Sequence, residues 1–381
     1  MAASALSSAR EPARRSFARP LQRARRVALV AALVALVPVA ISYVSALRER
    51  SNAPLGIRTV EWLRDNGAAD VVAKVESAYY SLTAPSKGGP ALRAVPSVGV
   101  SSAAAGAAAA YRPGRVHAVL HPALPGEGVW HATRDSLAAR PPLLETTVRD
   151  QREYPRVVAG LVWIDPHRAK LTLNPGRLEP SVTLPRGSAD VPTSDRGRLL
   201  ATFNSGFKLA DSRGGFAVRG RTYARMRAGQ GTIIGYRDGR VDVVDWQGGA
   251  RVGPEVSWAR QNLPLIVDGG RATPNIANSS EWGATVGNAV LVWRSAIGVD
   301  RRGNLIYAAG NDQTVQSLAN VLVHAGAVRA MELDINSFWV SMITYGAPGA
   351  AAPHNLLGDM ERPATRYLEP DDRDFFALYQ R

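Results

Sequence analysis

There is no cysteine among the 381 residues. Disulfides, zinc thiolates and thiol nucleophiles are thereby excluded. If the chain reaches an oxidising compartment, its core alone must hold it together. Lysine is nearly missing: Lys74, Lys87, Lys170 and Lys208 are the only four, so arginine carries the formal charge of +14. Alongside the abundant Ala, Gly and Pro, this arginine bias reads as base composition of the genome, not as a binding surface. There is no phosphate-cradling G-x-x-x-x-G-K-[ST] loop, no G-x-S-x-G elbow, no evident Ser-His-Asp order and no internal repeat. His117, His121 and His131 lie close together, the first two spaced as helical zinc ligands can be. Pro122 follows directly and the local pattern is not helical, so neither a metal nor a cofactor is expected.

Charge is also absent from residues 27–47, "VALVAALVALVPVAISYVSAL". These 21 uncharged, mostly apolar residues match the roughly 20 needed to cross a bilayer as a helix, and membrane helices tolerate the single Pro38. Residues 1–26 carry seven arginines against Glu11 alone. By the positive-inside rule this basic tail stays in the cytoplasm, and the rest is exported. The competing reading is a cleaved signal peptide with Val44-Ser45-Ala46 as the processing site. The run exceeds the usual h-region of about 7–15 residues, which favours an uncleaved single-pass signal anchor in the cell membrane. The anchor accounts for the basic tail, so no nucleic-acid partner is expected.

A hydrophobic fraction of 46% and a charged fraction of 20% are those of a globular protein. Residues 51–84 carry apolar positions at helical spacing (Ile57, Val60, Leu63, then Val71, Val72, Val75, Tyr79), with Gly67 separating two short helices. A spacer or a partner-binding helix pair would both fit. Residues 85–115 are low-complexity and read as a tether. From residue 116 to about 375 the pattern turns to β, with strands expected over 157–166, 169–176, 199–207, 232–246 and 263–270 and a hairpin over 296–310. One helix stands out over 313–325, capped by Asn311 or Asp312 and ended by Gly326. These elements predict an α+β fold: a strand-rich mixed-sheet domain with flanking helices, preceded by one N-terminal transmembrane helix.

Three expected strand ends finish in small or polar residues: Asn204-Ser205-Gly206, Asp268-Gly269-Gly270 and Asp334-Ile335-Asn336-Ser337. Such ends commonly gather a site, although "DGG" and "NSG" are also ordinary turns. "MELDIN" (residues 331–336) alternates strictly, so Glu332 and Asp334 share one strand face about 6.6–7 Å apart. That is compatible with two-carboxylate hydrolysis of a glycosidic bond; a half-buried strand with one wet face gives the same pattern. Trp246, Trp258, Trp282, Trp293 and Trp339 could stack on sugars, but aromatics of this kind are mostly core.

Together, "FNSGF" (residues 203–207), "RSAIG" (294–298) and the helix leading into "ELDINS" (332–337) resemble the phosphodiester glycosidase family. The type is the N-acetylglucosamine-1-phosphodiester alpha-N-acetylglucosaminidase ("uncovering enzyme") domain. "LPGEGVW", "RQNLPLIVDGG" and "ELDINSFW" look like a membrane-anchored bacterial branch. The resemblance implies an exported hydrolase cleaving a sugar-1-phosphodiester in envelope or extracellular glycans. Asp334 would be nucleophile, base or electrostatic stabiliser, Glu332 a second carboxylate and Arg294 a phosphate clamp. Asn204, Gly206, Asp268, Asn311 and Asn336 are the expected substrate contacts. Ser205, Ile335 and Asn336 stand where the family pattern has glycine, which implies a reshaped pocket, a different substrate or lost activity. The alternative is a non-catalytic glycan-binding or envelope- or exopolysaccharide-assembly protein that keeps the fold.

Overall fold

The computed structural model describes residues 18–90, 92–100, 111–277, 282 and 291–381. Most of the expected basic tail and the centre of the expected tether therefore lie outside the described residues. Within the N-terminal helix α1 (Ala18–Arg48), the 27-residue segment Gln22–Arg48 is long and apolar enough to cross a membrane. Its C-terminal end packs on the helix that succeeds it. Tyr43 meets Trp62 edge-on with ring centroids 5.0 Å apart, and Trp62 Nε1 donates to Ser42 Oγ at 3.0 Å. Two further helices, α2 (Leu55–Leu63) and α3 (Ala69–Thr83), are joined by a π-type turn over Arg64–Ala68. The helical path breaks where Gly67 takes φ +86°, a conformation open to glycine and costly for other residues.

The strands, in chain order, are β1 (His131–Ala132), β2 (Leu143–Val148), β3 (Ala159–Ile164), β4 (Ala169–Asn174) and β5 (Leu199–Asn204). After the single-turn helix α4 (Leu209–Ser212) come β6 (Phe216–Val218), β7 (Arg221–Ala224), β8 (Gly231–Tyr236), β9 (Val241–Asp245), β10 (Val256–Gln261), β11 (Leu265–Asp268) and β12 (Arg271–Ala272). Then follow β13 (Val292–Asp300), β14 (Leu305–Gln313), helix α5 (Val315–His324), β15 (Ala327–Glu332), β16 (Met342–Ala347), β17 (Ala351–Asn355) and β18 (Phe375–Gln380).

They form three sheets ordered β1-β2-β3-β14-β13-β15-β11-β12, β7-β6-β10-β8-β9 and β17-β16-β5-β18-β4. This is the expected strand-rich α+β architecture. Among the described residues, however, every ladder is antiparallel and none is mixed. Seven of these fifteen ladders join strands consecutive in sequence, and the helical crossover through α5 leaves β13 between β14 and β15.

One core fills the space where the three sheets meet, with Ile297 and Tyr307 from the first, Ile233 and Trp258 from the second and Phe203 and Phe376 from the third. A second core lies on the other face of the eight-stranded sheet, beneath α5, whose apolar stripe is Val315, Leu318, Val321 and Leu322. Central strand β13 is therefore covered on both faces, and Val292 through Val299 are all buried. The cap of α5 is Thr314, not Asn311 or Asp312, because β14 runs on to Gln313 and carries those two residues in its ladder arm. Thr314 Oγ1 accepts from Ser317 N and Ser317 Oγ from Thr314 N, both at 2.9 Å, a reciprocal capping box.

Candidate functional site

The alternation of "MELDIN" holds as far as Glu332, where β15 ends. Glu332 pairs in register with Ala296 of β13 and lies on the α5 side of the sheet. Its Oε1 accepts from Arg294 Nη1 at 2.6 Å. Arg294 is itself committed: Nε donates to Gln313 O at 3.0 Å, and Nη1 also approaches Trp282 O at 3.5 Å. Burial pushes the Glu332 carboxyl up to about 6; Arg294 opposes the shift and the Asp334 charge adds to it.

Asp334 belongs to a different network. Its backbone stays in the β13 ladder, exchanging hydrogen bonds with Ser295 through Ser295 N to Asp334 O (2.9 Å) and Asp334 N to Ser295 Oγ (3.1 Å). Its side chain turns back. Oδ1 accepts from the amides of Ile335 (2.8 Å) and Asn336 (3.1 Å), and Oδ2 accepts from Arg373 Nη2 at 2.9 Å. Burial raises this carboxyl above its usual range, with Arg373 and the two amides offsetting part of the rise.

Asn204 and Gly206 arrive at the same place from β5. Asn204 Nδ2 donates to Ser295 Oγ at 3.0 Å, so one serine bridges Asn204 and Asp334. The other three hydrogen-bonding positions of Asn204 are also taken. Nδ2 donates to Ser205 O at 2.9 Å, and Oδ1 accepts from Tyr307 OH at 3.0 Å and Ser341 N at 3.1 Å. Gly206 O accepts from Arg373 at 3.0 Å. Asn336 caps the turn after it, its Oδ1 accepting from Phe338 N at 3.0 Å.

Two expected contacts stand apart from this set. Asp268 ends β11, whose antiparallel register with β15 sets Val267 opposite Ala330. The end of β11 therefore lies toward the start of β15, away from Asp334, and Asp268 is exposed with its Oδ1 bound to Gly269 N. In a parallel sheet the two strand ends would coincide; here they cannot. Asn311 accepts from Asp312 N at 2.8 Å, a local contact that holds Asp312 at φ +56°.

Sequence reasoning missed the "DDRD" run, Asp371–Asp374, just before β18. Four consecutive charges ordinarily mark a solvated tip, yet all four are buried. Asp371 takes Arg366 in a fork at 2.7 and 3.1 Å, Asp372 takes Arg177 at 2.8 Å, Arg373 takes Asp334, and Asp374 takes Arg260 at 2.8 Å. Three guanidinium groups converge on one indole. Arg373, Arg366 and Arg362 lie 5.0, 5.3 and 5.7 Å from the Trp339 ring. All five tryptophans considered as sugar platforms are buried.

The segment after the apolar helix closes over this cluster. Ala53 and Ile57 pack on Trp339. Asn52 Nδ2 donates to Asp371 Oδ2 at 3.1 Å and to Arg366 O at 2.9 Å, while Asn52 Oδ1 accepts from Arg362 Nη2 at 2.8 Å. Ser51 donates to Asp372, and Glu61 pairs with Lys208, next but one to Gly206. Glu61 is held below the usual carboxylate range: Lys208, then Arg373 and Arg64, outweigh its burial. Among the described residues no group of three His, Asp or Glu side chains is placed to hold a metal ion.

The sequence matches no family model and no curated protein. Among solved structures, the catalytic domain of zebrafish N-acetylglucosamine-1-phosphodiester alpha-N-acetylglucosaminidase, auto-inhibited by its pro-peptide, is similar at 15% identity with a TM-score of 0.41. The alignment covers 63% of this chain and 84% of that one. A hypothetical protein from Synechocystis is similar at 15% identity and a TM-score of 0.39, covering 63% of this chain and 62% of that one. A protein of Burkholderia pseudomallei described as exported has 12% identity and a TM-score of 0.28, over 60% of this chain and 75% of that one. The likeness is a distant one of fold, and no residue role is carried across from it.

Proposed function

We propose that the strand-rich domain is an exported, membrane-anchored glycosidase that hydrolyses a sugar-1-phosphodiester in envelope or extracellular glycans. The observation supporting this reading is the pair of buried carboxylates at the end of β15. Glu332 and Asp334 lie two residues apart, each against its own arginine. Two carboxyls in different electrostatic surroundings are the usual basis for dividing acid and nucleophile roles. Glu332, raised to about 6, suits proton delivery. Asp334 suits attack on, or stabilisation of, the oxocarbenium-like carbon. The leaving group is a phosphate monoester and a weak base, so holding its charge matters more than protonating it. Arg373, paired with Asp334, is the cation available for that, while Arg294 stays with Glu332 behind the sheet. Access requires residues 51–61 to move off Trp339 and Arg373.

The test is release of free sugar from sugar-1-phosphodiesters by the detergent-solubilised full chain, with Asp334→Asn as control. Turnover lost in the control supports the reading. No turnover across a broad panel, or turnover unchanged by Asp334→Asn, removes it. A non-catalytic glycan-binding role is the second reading. The observation favouring it is that Asn204, Arg294 and Asp334 spend their hydrogen bonds on protein groups.

A further inference from the structure

A cavity of about 430 Å³ opens elsewhere in the domain, between strand β4 and the tips of two hairpins, β6–β7 and β8–β9. None of the residues around Asp334 lines it. Its wall carries five cations, Lys170, Arg186, Arg219, Arg237 and Arg240, against one acid, Asp190. That acid is already matched by Arg196 at 3.5 Å, outside the cavity. Arg186 is held by the carbonyls of Gly176, Pro180 and Val182 at 2.6–2.9 Å, and among the described residues its charge has no counter-ion in direct contact. Arg240 stacks on Tyr236, with its guanidinium carbon 4.0 Å from the ring centroid, and has only a loose pair with Asp238 at 3.8 Å. Among the described residues Lys170 and Arg219 have no carboxylate partner, and both are exposed.

Arg219 is also in an unfavourable place. β6 and β7 are joined by the two residues Arg219-Gly220, with φ of +55° and +71°. Both central residues of this turn are left-handed, a geometry for which Asn-Gly is the favoured pair. An arginine there costs stability and sets a guanidinium at the rim of the cavity. The remaining wall suits a sugar. Thr172, Asn174 and Ser257 offer hydroxyl and amide groups, and the core residue Trp258 closes the floor of the cavity. A concave space of this size admits one or two sugar units and is too enclosed for a nucleic-acid duplex.

We propose that this cavity is a second saccharide site, taking a sugar unit that bears a carboxylate or phosphate group. The proposal does not depend on whether the Asp334 cleft is catalytic. It is tested by calorimetric titration of the full chain in detergent with digalacturonate, glucose 6-phosphate, neutral maltose and a short single-stranded oligodeoxynucleotide. The expected result is binding of at least one anionic sugar, weakening as salt rises, with maltose bound at least about tenfold more weakly. The double variant Lys170→Gln/Arg219→Gly should lose about tenfold or more in affinity, the scale of one charged hydrogen bond. Both positions are exposed and glycine takes the left-handed turn without the strain arginine carries there, so the variant should keep or raise its Tm. Asp334→Asn should bind as the parent does. Comparable binding of maltose, undiminished binding by the double variant, loss of binding in Asp334→Asn, no binding of either anionic sugar, or tighter binding of the oligonucleotide would each overturn the proposal.

Discussion

Arg373 Nη2 lies 2.9 Å from Asp334 Oδ2 and 3.0 Å from Gly206 O, so one buried guanidinium just before β18 ties the turn after β15 to the turn after β5. Removing one partner of such a pair leaves an uncompensated buried charge. Arg373→Met should therefore destabilise the domain by roughly 3–5 kcal/mol. Adding Asp334→Asn to that variant should recover part of the loss. A double-mutant cycle in denaturant checks this; strictly additive effects would show that the pair is not energetically coupled.

The proposed division of labour between the two carboxylates has a pH signature. If Glu332 delivers a proton, kcat/KM should fall as pH rises through about 6, where its proton is lost. Glu332→Gln should flatten that limb while lowering the rate. A parent profile that is flat from pH 5 to 8 (about one unit either side of 6 or more) would count against the assignment.

The cover over Trp339 gives a readout that needs no substrate. Ile57 packs on Trp339, and Asn52 bonds to Asp371 and Arg362. Ile57→Asp with Asn52→Ala should lift residues 51–61 from the domain. Amide exchange over residues 337–341 should then quicken, with β13 and β14 unchanged. If sugar release occurs, it should rise in the same variant. Unaltered exchange would show that the segment does not shield the site.

Glu145 on β2 is buried, and burial pushes its carboxyl up from 4.5 to about 7, opposed only in part by Thr344 and the Gly99 amide. Between those two values only the folded chain holds the proton. Stability should therefore be fullest below pH 4.5 and decline as pH rises toward 7, by up to about 3 kcal/mol for this group. Glu145→Gln should be more stable than the parent at pH 8 and lose that part of the slope, as read from Tm across pH. Identical slopes for the two proteins would exclude Glu145 as the source.

Much of the local structure was legible in the sequence. The uncharged run at 27–47 falls inside α1, the break at Gly67 falls between α2 and α3, and the hairpin at 296–310 falls within β13 and β14. Periodicity, charge and turn residues act over a few positions, and these features depend on little else. The cap of α5 was misplaced by two or three residues because the length of β14 depends on its partner strands, not on its own composition.

The site divides along the same boundary. Chain-local pattern was enough to bring out Asp334, Glu332 and the Asn204-to-Gly206 turn, because alternation and strand-end polarity are written in consecutive residues; Arg294, inside β13, was picked out only by the family resemblance. Which arginine meets which carboxylate was not legible, since Arg294 and Arg373 approach from β13 and from the start of β18. Nor was the separation of Asp268 from Asp334, which follows from the antiparallel register of β11 on β15. The "DDRD" run looked solvated because nothing in the four residues names Arg366, Arg177, Asp334 and Arg260 as their partners. Short-range regularities thus settled the elements and the chemistry they could offer. Register and long-range ion pairing, set only when three sheets close on one core, settled which of those groups stand together and what covers them.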